Sequence, residues 1–136
     1  MKQNTNNIRI VLGKDAPIHS ISLRNVREVD GHDDSLPYKA DVYVNRHVVA
    51  ELFNDGWGGD TDVTVCNGDA SELLKRIHHW VTDNYAFEYK DNHGEIVQYP
   101  LDLGYVFDTA THECLDGATC IHISKLDGVG RKKKGA

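Results

Sequence analysis

Apolar and polar residues alternate along the first half of the chain and then change to helical spacing. Ile8-Arg9-Ile10-Val11-Leu12 reads as a short strand, closed by the turn Gly13-Lys14-Asp15-Ala16-Pro17. Positions 18–29 read as a longer strand in which Ile21 and Leu23 share parity and Val26 does not, which predicts a bulge; a helix is the alternative here. In positions 39–45, Ala40, Val42 and Val44 face one way and Lys39, Asp41 and Tyr43 the other. Positions 48–53 place Val48, Ala50 and Leu52 on one face. A three-residue loop of Asn45, Arg46 and His47 pairs Val44 with Val48, Val42 with Ala50 and Ala40 with Leu52, whereas a two-residue loop opposes apolar to polar positions. Positions 61–66 alternate again, with Val63 and Val65 expected inward, so these three segments form an antiparallel meander.

The period then lengthens. Asp69 is the expected cap of a helix, with Glu72 completing a capping-box pattern. Leu73, Leu74, Ile77, Trp80 and Val81 make one apolar stripe, and the helix is expected to reach Tyr85 or beyond. Asp91-Asn92-His93-Gly94 is a turn. After Pro100, Leu103, Val106, Phe107, Ala110 and Cys114 predict a second helix, interrupted in propensity by Gly104 and ending near Gly117. Cys120 to Ser124 reads as a short strand at a sheet edge. Strands first and helices afterwards predict an α+β domain: an antiparallel β-sheet, a meander, with two helices packed on one face. Its expected buried residues include Val42, Val44, Ala50, Leu52, Val63, Leu74, Ile77, Trp80 and Phe107.

Length and charge narrow the function classes. The chain of 136 residues suits a single domain over 1–129, followed by a basic tail over 130–136 that is expected to be disordered. Its 40% hydrophobic and 26% charged residues are ordinary for a soluble protein. No apolar run is long enough to span a membrane, and the first residues lack the apolar segment of a signal peptide. The three cysteines, Cys66, Cys114 and Cys120, suit free thiols in a reducing cytoplasm. A net charge of −6 opposes nonspecific binding of nucleic acid by the folded body. Weak phosphate contact is left to Arg131, Lys132, Lys133 and Lys134 in the tail. Acidic clusters, at Glu28-Val29-Asp30-Gly31-His32-Asp33-Asp34 and around Asp55, Asp60 and Asp62, suit a protein partner with a basic surface.

The candidate chemistry centres on Asn54-Asp55-Gly56-Trp57-Gly58-Gly59-Asp60, with Asp62 just beyond. Its glycines permit left-handed backbone and close approach, and its tryptophan offers a large contact area. It reads as a structural turn, a protein-recognition surface, or a cation or phosphate site. The last of these lacks both the EF-hand spacing and the Lys-Ser/Thr pair of a phosphate loop. His78-His79 are adjacent, not four apart, so they diverge on a helix. His112, Cys114, Cys120 and His122 have zinc-ligand chemistry, but His112 and Cys114 diverge on the predicted helix and no short paired knuckle is present. Cys66, at a strand end before a helix, is a weak thiol candidate. No nucleophile-elbow serine is present. No catalytic residue, metal or cofactor is therefore assigned.

The segment Tyr38-Lys39-Ala40-Asp41-Val42-Tyr43-Val44-Asn45, together with Asn54-Asp55-Gly56-Trp57-Gly58-Gly59, resembles small uncharacterised proteins of bacteriophages and bacterial mobile elements. Arg46 stands where such proteins often carry glycine in the tight turn. The resemblance implies an accessory protein that acts on host proteins, including inhibitors of defence systems, and it implies no catalytic residues. The expected function is non-enzymatic protein binding through Asn54 to Asp60 and Asp62. The alternatives are a metal-dependent enzyme, using Asp55, Asp60 and Asp62 or the cysteine–histidine set, and a nucleic-acid accessory protein.

Overall fold

The computed structural model describes residues 6–29, 37–57 and 60–132. Five strands, β1 (Asn6–Val11), β2 (Ser20–Glu28), β3 (Tyr38–Val44), β4 (His47–Asn54) and β5 (Asp62–Val65), run as an antiparallel meander. Then come α1 (Gly68–Asn84), a hairpin of β6 (Tyr85–Lys90) and β7 (Ile96–Pro100), and α2 (Leu103–Leu115). The chain closes with β8 (Cys120–His122), a 3-10 turn at Ile123–Lys125 and β9 (Val129–Arg131). The main sheet has the order β5-β4-β3-β2-β1-β8, with β8 parallel to β1, and β7-β6-β9 form a separate small sheet.

The α+β class follows from one shared core. Ile8, Ile10, Ile21, Leu23, Ala40, Val42, Ala50 and Leu52 project from one face of the main sheet. They meet Ala70, Leu74, Ile77 and Val81 of α1, and Leu103, Val106, Phe107, Ala110 and Cys114 of α2. Both helices therefore cover the same face, as the alternation and the two stripes require. Among the described residues no helix is long and apolar enough to cross a membrane.

Two irregularities set the register. The pairing of β2 with β1 and with β3 slips around Asn25, which has φ of +56°. That slip returns Val26 to the core, as its parity predicts. The β3–β4 hairpin keeps the expected Ala40–Leu52 and Val42–Ala50 pairs. Its turn differs from the three-residue loop expected. Val44 pairs with His47, and Asn45 and Arg46 both have positive φ, +48° and +72°, as a two-residue primed turn requires. A shift between Val42 and Tyr43 absorbs the extra residue and restores the apolar match.

Other expectations are corrected. Asn67, not Asp69, caps α1, its side chain accepting from the Ala70 N–H at 2.8 Å. The helix stops at Asn84, where the side-chain amide donates to the Trp80 carbonyl at 2.8 Å, and Tyr85 begins a strand. Trp80 is only partly buried, edge-on to Tyr85. Val63 and Val65, expected inward, are exposed at 41% and 39% on β5, the edge strand of the main sheet. Gly130 and Arg131, expected in the basic tail, instead pair with Ala86 and Tyr85 in β9. Lys133 and Lys134 lie outside the described residues, as do positions 30–36 with their acidic loop.

Candidate binding site

The β4–β5 connection is tied at its neck. Asn54, at the end of β4, is buried; its Oδ1 accepts from the Gly56 N–H at 2.8 Å, and its Nδ2 donates to Thr61 Oγ1 at 3.2 Å. The bond to Thr61 joins the two sides of the loop, and the bond from Gly56 fixes the turn that leaves β4. Gly56 is buried with φ of +83°, a conformation that costs glycine little. The Trp57 N–H donates to Asp55 Oδ1 at 3.0 Å, a local turn bond. The expected surface thus divides: Asn54 and Gly56 build the neck, while Asp55, Trp57, Asp60 and Asp62 are exposed. Trp57 is 64% exposed. Gly58 and Gly59 lie outside the described residues.

Beside the neck lies a cleft of about 430 Å³, lined by Asn54, Asp60, Thr61, His78, Asp102, Gly104, Tyr105 and Asp108. Thr61 is its hinge point. Its hydroxyl accepts from Asn54, bonds the Tyr38 hydroxyl at 2.8 Å and donates to Asp108 Oδ1 at 3.5 Å. Tyr38 is fully buried, and loss of hydration pushes its pKa up to about 12.

The start of α2 supplies the opposite wall. Asp102 caps the helix, accepting from the Tyr105 N–H at 2.7 Å. A Cβ at Gly104 would come within 3.2 Å of Asp102 Oδ1, so glycine at this helical position leaves room for the cap. His78 of α1 accepts the Leu103 N–H at its Nδ1, 3.3 Å away. That bond leaves the Nε2–H as the ring's donor in its neutral form. Three carboxylates in one cleft favour a cationic group over an anionic one. Among the described residues, no group of three histidine, cysteine, aspartate or glutamate side chains is arranged to hold a metal ion.

The remaining candidates separate. Cys114 is buried on the core stripe, and burial pushes its thiol pKa up. Cys66 and Cys120 are exposed. His79 is exposed while His78 is half-buried at the flank of the stripe. Arg131 lies over the Tyr85 ring at 4.9 Å and donates to Asn84 Oδ1 at 3.3 Å, so it belongs to the small sheet. His78, Asp102, Tyr105 and Asp108 are neighbours of the loop that no expectation from the sequence included. A signal existed for three of them, since Asp102, Tyr105 and Asp108 recur every third residue and share one side of a helix.

No family model, curated protein or solved structure matches the chain.

Proposed function

We propose that this chain is a non-enzymatic binding domain acting in the cytoplasm, which occupies a basic surface of a partner protein through the Trp57 loop. In the setting implied by the phage and mobile-element resemblance, the partner is a host protein and the outcome is inhibition. The observation that carries this reading is Trp57 at 64% exposure on a loop whose neck is held by Asn54. A held neck lowers the ordering cost of binding, and tryptophan is enriched among residues that dominate interface energy. Exposed Asp55, Asp60 and Asp62 flank it in sequence and would speed encounter with a basic surface.

The test is affinity capture from host lysate, followed by binding measurements on the captured protein. Trp57→Ala should leave the melting temperature nearly unchanged and weaken binding by about tenfold or more. The association rate should also fall as salt rises. Unfolding of the variant would make the indole a structural plug, and unchanged binding would put the contact surface elsewhere.

A further inference from the structure

The small sheet carries an aromatic row. Phe87 stands opposite Tyr99 across the β6–β7 hairpin, and Tyr89 opposite Val97, so all four side chains share one face. Tyr89 and Tyr99 stack with ring centroids 5.4 Å apart. Phe87 meets Tyr105 of α2 edge-on at 4.7 Å. Tyr89, Tyr99 and Tyr105 are 43%, 57% and 40% exposed. Tyr105 also lines the acidic cleft, so the row runs from the hairpin to Asp102 and Asp108.

We propose that this row is a second docking surface, for a proline-rich extended segment of a partner whose arginine enters the cleft. The proposal rests on the reading of the chain as a protein-binding domain, but not on Trp57. Tyrosine gives a large, rigid contact area at low entropic cost, and aromatic rows are how polyproline segments are gripped. Such a segment is already extended and needs no backbone ladder. That suits a row passing from α2 across β6 to β7. Charge selects the anchoring residue. Asp60, Asp102 and Asp108 line the cleft, in a chain of net charge −6. A guanidinium can pair with carboxylates through its planar fork and stack on Tyr105 as it enters. A neutral glycan would also stack on tyrosines but would draw no benefit from the carboxylate charge.

The experiment is an NMR titration of the full chain with nonaproline peptides bearing one arginine at either end. The same peptides with glutamate in place of arginine, and cellohexaose, serve as comparisons. Saturable shifts are expected at the rings of Tyr89, Tyr99 and Tyr105 and at the amides of Asp102 and Asp108. Tyr99→Ala and Asp108→Asn should each weaken binding by about tenfold, with thermal melts confirming the fold, while Trp57→Ala should not. Absence of shifts at millimolar arginine peptide would overturn the proposal. An equal response to the glutamate peptides would remove the arginine's role, and saturable cellohexaose binding in place of peptide would make the row a glycan platform. Loss of partner capture in Trp57→Ala with peptide binding intact supports both surfaces. Partner capture and peptide binding both retained in Trp57→Ala would sink the Trp57 reading alone.

Discussion

Tyr38 couples the core to the cleft through a single hydroxyl. Burial raises its pKa from the ordinary value of 10.0 to about 12, Thr61 opposing through its hydrogen bond and the charge of Asp108 adding. The unfolded phenol loses its proton first, so between those values the folded state binds more protons and stability falls as pH rises. A two-unit difference corresponds to about 3 kcal/mol at most, fully present below pH 10 and lost by pH 12. Urea midpoints measured across that range should therefore fall more steeply in the wild type than in Tyr38→Phe. Near neutral pH that variant should cost about 1 kcal/mol, the net worth of the bond to Thr61. Parallel slopes would show that Tyr38 ionises as if exposed. The sequence marked Asn54 as part of the loop, but not its inward turn. A side chain's partners across the fold, such as Thr61 for Tyr38, leave no periodic trace.

At the scale of elements, caps and stops decided most of the differences between pattern and structure. Asn67 and Asp69 are both plausible caps by residue type, and only the extended backbone at Asn67 selects it. Asn67→Ala should cost about 1 kcal/mol of stability. Asp69→Ala should cost less, because a first-turn carboxylate acts only on the helix dipole and is screened by salt. Chemical denaturation of both variants at two salt concentrations separates these contributions. The three-strand meander of β3, β4 and β5 and both apolar stripes were legible because each keeps one period over many residues. The hairpin after α1 was not. Tyr85, Phe87 and Tyr89 alternate as a strand should, yet they follow Val81 without a glycine or proline to mark the change. The same omission hid the aromatic row.

For the molecule as a whole, the short β9 does more than its length suggests. Val129, Gly130 and Arg131 pair with Phe87, Ala86 and Tyr85, and the Lys132 N–H donates to the Asn84 carbonyl at 2.8 Å. A chain ending at Gly128 should lose roughly 2 kcal/mol, from two or three ladder bonds at about 1 kcal/mol each. It should also expose an open strand edge on β6 and aggregate more readily. A chain ending at Lys132 keeps β9 and is the reference for both measurements; equal melting and solubility would show β9 to be dispensable. The parallel contact of β1 with β8 has a different consequence, one of timing. Arg9 leaves the ribosome well before its neighbour Cys120 is made. The meander can pair as it emerges, yet Ile8, Ile10, Ile21 and Leu23 stay uncovered until α2 arrives. Until α2 is made the nascent chain therefore offers chaperones an apolar sheet face, and the main sheet is completed only once β8 follows.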